Sequence, residues 1–321
     1  MSKQRRPKKG SRAFWPRKRA KRIYPRAKSR VMKETGPLSF AAYKAGMVSV
    51  SYSDMKKGSP TQNMEIVTAA TVLATPPLQV MGIILYKTTA TGIRKWTEFW
   101  TEKSEKDLSR KLSVPKNVKK VAVDKEIDKL AAVRLLVHTK PRTAVGKKTP
   151  EIFEVPLGGN PKEQWAFAKE KLGKEITAAD VFKEGELVDV AAVSTGKGFQ
   201  GPVKRFGIVI RSRKNKGKRR HVGSIGPVTP GKVLPGKIPY AGQHGFQTRT
   251  EQNKKILKIA SGKIAPTGGF LRFGEVNGPY LLVAGSVPGP KKRLIMLQKG
   301  VRSKTKPEPI ELKSVLLQSQ Q

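Results

Sequence analysis

No cysteine occurs in the 321 residues, which excludes a disulfide framework and thiolate metal sites. Histidine is nearly absent as well. His138, His221 and His244 stand far apart, without metal-ligand spacing or partner thiols, so no metal site is expected. Long hydrophobic runs are missing. The longest apolar stretch, Val80 to Tyr86, is far too short to span a bilayer, so no membrane is expected as a partner. The start of the chain has no apolar segment of the kind a secretory signal needs, and Pro7, Pro16 and Pro25 interrupt any amphipathic helix there. Neither G-x-x-x-x-G-K-[ST] nor G-x-S-x-G is present. Nothing nominates a catalytic residue, a cofactor or a small-molecule substrate, and the expectation is a protein that is not an enzyme.

Acid is the scarcest commodity relative to its counterpart. There are 23 Asp+Glu against 66 Lys+Arg, a formal net charge of +43. A compact chain of that charge repels itself unless a polyanion neutralises it, and nucleic acid does so while releasing counterions. Hydrophobic residues make up only 37% of the chain, so part of it is expected to bury a core and part to order only on its partner.

The excess charge is local. Residues 1–30 carry 14 basic residues and no acid; residues 31–195 carry 26 basic and 19 acidic. Residues 196–263 then carry 17 basic and a single acid, Glu251, and residues 264–321 carry 9 basic and 3 acidic. Both basic segments read as extended. The first is interrupted by prolines, and the second is rich in Gly and Pro between Gly223 and Gly242. Neither can offset its own ordering entropy by burial.

The rest reads mainly as short Val/Ile/Leu-rich strands bounded by Gly, Pro and Asn: Gly46–Tyr52, Met64–Leu73, Leu78–Lys87, Leu130–His138, Glu186–Val193, Gly269–Val276, Tyr280–Val287 and Arg293–Gln298. This is the pattern of a barrel or sandwich. Two helices are expected. One covers roughly Thr101–Leu112. The other opens with Asn160 as cap, Pro161 at the first helical position and Glu163 two further on, aligns Trp165, Ala168 and Leu172 on one face, and ends at Gly173. The expected organisation is mainly β with an α/β insertion: a basic arm over 1–40, a split β-barrel over 41–95 and 181–321, an insertion over 96–180, and a basic finger over 208–245.

Gly196-Lys197-Gly198-Phe199-Gln200-Gly201 formally matches a dinucleotide-binding fingerprint. That fingerprint needs a helix N-terminus at the pyrophosphate and an acid near 216–222 for a ribose. Pro202 follows at once, with little helical pattern after it and no such acid. A tight turn that lets the backbone approach phosphates fits better, with Lys197, Lys204 and Arg205 supplying charge, Phe199 an apolar anchor, and Gln200 beside it. From Arg211 to His221, eight of eleven residues are charged or titratable: Arg211, Arg213, Lys214, Lys216, Lys218, Arg219, Arg220 and His221. Set in a Gly/Pro-rich excursion, this run reads as a finger into RNA whose phosphate contacts position rather than read sequence. Phe14, Trp15, Tyr24, Tyr240 and Phe246 lie among the basic residues, where they could stack on unpaired bases or pack on the protein's own core; stacking is the favoured reading for Trp15, and Phe246 is left open. His138 ends an apolar strand and reads as a core-edge residue.

Five stretches carry a family resemblance. Gly196–Gly207, G-K-G-F-Q-G-P-V-K-R-F-G, resembles the signature of the universal large-subunit ribosomal protein family called L-three. Lys9–Arg22, with Arg12, Trp15, Arg17, Lys18 and Arg19, resembles the N-terminal arm of its archaeal–eukaryotic branch. Ala42–Met47 resembles its first barrel strand, and Gly245–Ile256 and Gly278–Leu294 resemble its later blocks. They run from end to end in family order, and 95–180 matches least. The resemblance implies a six-stranded barrel of the translation-protein type with long basic extensions. It implies binding to large-subunit (23S) rRNA near its 3′ end, a part in early subunit assembly, support for the region around the peptidyl-transferase centre, and neighbouring large-subunit proteins as partners. By position, Gly196–Gly207 would touch rRNA, Arg211–Pro230 would be the finger, and Arg249, Lys254 and Lys255 would be further backbone contacts. Two departures stand out. At the finger tip, Pro227-Val228 replaces a tryptophan context, and Gln247 stands where a histidine is usual.

Overall fold

The computed structural model describes residues 10–11, 14–28, 30–102, 105–113, 130–234, 236–302 and 310–318. Its elements follow in the order β1 (Gly36–Pro37), β2 (Ser39–Ser53), β3 (Glu65–Ala74), β4 (Leu78–Thr89), β5 (Gly92–Trp100), β6 (Leu130–His138), α1 (Arg142–Val145), β7 (Ile152–Gly158), α2 (Pro161–Lys171), β8 (Glu175–Ile176), β9 (Leu187–Val193), β10 (Phe199–Gln200), α3 (Pro202–Phe206), β11 (Gly242–Gln243), β12 (Thr248–Ile264), β13 (Val276–Ala284), β14 (Leu294–Lys299) and β15 (Glu311–Leu316). The fold is mainly β. The chain divides into two compact units: a smaller one of Met1–Ile23 and Val193–Arg249, and a larger one of Tyr24–Ala192 and Thr250–Gln321.

The larger unit is built on two antiparallel sheets. One runs in the order β14-β9-β12-β13-β3-β2-β15, and β14 pairs with β2 as well. β2 makes this possible by its length. Phe40 to Tyr43 pair with Leu297 to Leu294 of β14, and Ser49 to Ser53 pair further along with β15. Between those two stretches the register shifts at Lys44/Gly46, the local bend that a bulge introduces. Gly46 is required there, because a Cβ would lie 2.3 Å from Cδ1 of the buried Phe270 ring. The second sheet runs β1-β7-β6-β4-β5, with β8 added against β4. The expected segment 41–95 therefore contributes β2 and β3 to the first sheet, and β4 with the start of β5 to the second.

Local chemistry explains α2. Asn160 and Glu163 form a reciprocal capping box, and Pro161 occupies the first turn. Trp165 and Ala168 are buried, with the indole 5.5 Å from the Phe99 ring. Gln164, also buried, accepts from the Val133 N–H at 2.9 Å and donates to Leu157 O and Gly159 O, so its polar atoms are satisfied while they fix the helix against β6 and β7. His138 is buried beside Thr139 O at the end of β6, a core-edge position as expected.

Several expectations are corrected. Among the described residues of Thr101–Leu112 there is only a short 3-10 turn over Lys106–Arg110, with Leu108 its one buried residue. Gly269–Val276 is not a strand. Positive φ at Gly269, Arg272 and Gly274 wraps it into a turn that inserts Phe270 into the core. Tyr24 does not present its ring to a ligand. It is buried against Phe153, and its hydroxyl donates to Ile152 O at 2.5 Å. The strands β5, β7, β12 and β15, and the two-residue strands β1, β8, β10 and β11, had no counterpart in the expected set.

Candidate nucleic-acid interface

The smaller unit gathers the acid-free arm and the acid-free part of the second basic segment into one body. Its residues include 24 Lys and Arg and not one Asp or Glu. Three of the five resembling stretches meet there. The glycine-rich turn is held by a short ladder in which Phe199 pairs with Gln243 and Gln200 with Gly242. The Lys197 N–H donates to His244 O, and the His244 N–H to Gly198 O, both at 2.9 Å. The Ser194 N–H donates to Gln247 O at 2.9 Å, and the arm joins through the Ala20 N–H to Phe246 O at 2.8 Å.

After the glycines, one point of the sequence reading is corrected. Pro202–Phe206 does form a helix, α3, capped by Gly201 and closed by Gly207 in a left-handed conformation. Proline in the first turn and glycine just past the last are the signal that betrays it. It is a single turn, and the smaller unit has no acid to hold a ribose.

The helix positions Phe206 and Arg205. The Arg17 guanidinium lies 4.5 Å from the Phe206 ring centroid and that of Arg205 5.2 Å. Arg205 also donates to Tyr240 O at 2.8 Å and to Gln243 O at 3.2 Å. Arg17 donates to Ser11 O and to Phe14 O. Arg249 donates to Gln247 Oε1 at 2.8 Å and to Thr248 O at 3.0 Å, with its guanidinium 5.8 Å from the Phe14 ring. These cations are oriented by carbonyls and rings rather than by carboxylates. Burial lowers the pKa of Arg17, and the charge of Arg249 lowers it further. Burial likewise lowers that of Arg205, followed by the charge of Arg17. The His244 imidazole is pushed below its ordinary value by burial first and then by Lys197, Arg17, Arg205 and Lys204. Such a row of unneutralised cations stores repulsion that an incoming anion relieves.

The other expected residues are placed as follows. Trp15 is 54% exposed and Phe199 77% exposed, so Phe199 is not anchored in the protein. Lys18 and Arg19 are exposed in the arm, and Arg12 lies outside the described residues. In the finger, the Arg211 N–H donates to Arg219 O at 3.1 Å, closing a loop on which Arg213, Lys214 and Lys218 are exposed, and Arg220 and His221 just beyond it are exposed as well. Val228 is 93% exposed next to Pro227. Lys254 and Lys255 fall in the larger unit, where Lys254 pairs with Glu251 at 2.8 Å. His244 was not among the expected contacts, and Phe206 was not singled out within its stretch. Phe206 was visible only as part of the glycine-rich stretch, and His244 carried no pattern of its own.

Comparison with known proteins agrees with this picture. The family model described as ribosomal protein L3 matches residues 1–320. The chain belongs to the ribosomal protein L3 family. Among its relatives, the large ribosomal subunit protein uL3 of Methanothermobacter thermautotrophicus is 46% identical over 96% of this chain and 95% of its own length. That of Methanosphaera stadtmanae is 46% identical over 95% of each. That of Methanococcus aeolicus is 44% identical over 94% of this chain and 93% of its own length. The family is one of structural components of the cytoplasmic ribosome, not of enzymes. Among the described residues, no helix is long and apolar enough to cross a membrane.

Proposed function

We propose that the chain is a structural constituent of the large ribosomal subunit that binds large-subunit (23S) rRNA near its 3′ end through the acid-free smaller unit. One observation carries this reading: two segments far apart in sequence, both without acid, fold into one unit whose arginines are pre-oriented by carbonyls and aromatic rings. Charge of one sign without internal neutralisation suits a phosphate backbone.

In this reading the arm residues Arg12, Trp15, Arg17, Lys18 and Arg19, the turn residues Lys197, Gln200, Lys204 and Arg205, and Arg249 contact rRNA. The finger reaches toward the peptidyl-transferase centre and supports it. Val228, exposed but without a π-face, gives that tip a scaffolding part only. Within the larger unit, β2, β3, β13, β12, β9 and β14 form a six-stranded barrel. The supporting observation is that each pairs with two others of the six, β14 returning to β2, while β15 adds to β2 outside the ring. The insertion opens nearer Leu78 than 95, since β4 and β5 pair in the second sheet. Neighbouring large-subunit proteins would be further partners, and the protein would join the particle early in assembly. Sucrose-gradient fractionation tests the reading. The protein should sediment with large subunits and with their early precursors, and its presence only in free pools or on chromatin would contradict it.

A further inference from the structure

The smaller unit holds a cleft of about 330 Å³ that a general phosphate-binding surface does not require. It is lined by Phe14, Trp15, Arg17, Lys18, Gln247 and Arg249, among others. We propose that this cleft captures a single unpaired nucleotide of the RNA, with the base stacked on Trp15, the phosphate between Arg17 and Arg249, and the base edge read by the Gln247 side chain. The proposal deepens the rRNA-binding reading and rests on it.

Three independent features point to such an occupant. The first is the indole. Trp15 is more than half exposed, yet it is not loose: it lies against Gly236, where a Cβ would come within 3.1 Å of the indole Cγ. A large aromatic surface held in place and left open is a stacking platform that accepts any base. The second is the pair of guanidinium groups. Arg17 is fixed by Ser11 O, Phe14 O and the Phe206 ring, and Arg249 by Gln247 Oε1 and Thr248 O. The two are close enough for the charge of Arg249 to disfavour that of Arg17, and no acidic residue exists in this unit to separate them. A phosphate supplies the missing negative charge and the acceptors for their free N–H groups. The third is Gln247. It is only 8% exposed, its Oε1 is taken by Arg249, and its Nε2 finds no acceptor among the described residues. A buried amide donor without a partner costs stability in the free protein. A base carbonyl or ring nitrogen would satisfy it once the amide, covered in the free protein, turns into the cleft, whereas a bare phosphate contact to the arginines has no need of it.

The experiment uses the full chain and, as probe, an in vitro transcript of the 3′-terminal domain of large-subunit rRNA, with affinities measured across a salt series. Stacking is insensitive to salt and phosphate contact is not, so the two halves of the cleft separate. Trp15→Ala should weaken binding about tenfold at an unchanged salt slope, and Trp15→Phe should recover most of the loss. Arg249→Ala should lower the slope by about one unit. Gln247→Met, similar in length but without the donor, should weaken binding several-fold at unchanged slope, and far-UV circular dichroism confirms that each variant is folded. Chemical probing of the bound transcript should show one unpaired base that is protected by the parent chain and reactive with Trp15→Ala. If Trp15→Ala and Gln247→Met both bind within twofold of the parent, the cleft is a phosphate contact alone and the proposal is overturned. If the parent chain itself fails to bind the transcript, the rRNA-binding reading falls and takes the proposal with it.

Discussion

Replacing Arg213, Lys214, Lys218 and Arg220 together by Ala isolates the finger's electrostatic part. All four side chains are exposed, three on the loop closed by the Arg211 to Arg219 hydrogen bond and Arg220 just beyond it. They bury no apolar surface and complete no core, so the variant should melt at the temperature of the parent chain. If each touches one phosphate, the slope of log K against log salt should become shallower by about 3, taking about 0.7 to 0.9 per contact. Between about 0.1 and 0.2 M salt, the parent chain should then lose roughly eightfold more affinity than the variant does. The assay is a binding isotherm on the large-subunit rRNA transcript at four or five salt concentrations. Arg219 is left in place because its Nε donates to Arg211 O at 3.4 Å and so contributes to the loop itself. An unchanged slope would mean that the finger does not touch phosphate, and the assignment of Arg211–Pro230 would have to be abandoned.

Two further outcomes are expected. Asp189 is buried at 1% exposure, where it holds Arg30 at 2.6 Å and accepts the Asn253 N–H at 3.1 Å. Asp189→Ala should cost about 3 kcal/mol in a urea titration, because it leaves the charge of a largely buried arginine uncompensated with only the Lys299 carbonyl as partner among the described residues, and a loss too small to measure would show that Arg30 reaches water without Asp189. His244 titrates below the ordinary imidazole range in the folded protein, so on acidification the unfolded chain takes up its proton first. Folded stability should therefore fall as pH drops through the ordinary histidine range, and His244→Gln should flatten that dependence in melting curves of the RNA-free protein between about pH 7.5 and 5.5. Identical curves for the two proteins would remove the inferred crowding of cations around His244.

The parts of the fold that could be read in advance were those whose signal is local. β6, Leu130–His138, ends at His138 as expected, because its apolar run closes there. The opening of α2 was written into Asn160, Pro161 and Glu163. β12 was missed for the opposite reason. Thr248–Ile264 is seventeen residues long, but its first half is almost wholly polar, and only Ile256, Leu257 and Ile264 are buried, so no alternation announces it. Gly269–Val276 misled because its Phe, Leu and Val look like a strand, while its role depends on a space left by Gly46 more than two hundred residues earlier. The interface was legible as charge and not as geometry. Counting acids located both basic segments. That Arg17, Phe206 and Arg205 stack into one cluster depends on α3, a helix too short to show a pattern.

The central claim is that the acid-free unit, rather than the larger unit, is the principal rRNA interface. Zero-length ultraviolet crosslinking of assembled large subunits, with the crosslinked peptides sequenced, tests it most directly. The account predicts crosslinks to rRNA concentrated within the smaller unit, at Trp15, the glycine-rich turn and the finger. Crosslinks confined to the larger unit, with none in Val193–Arg249 or the arm, would contradict it.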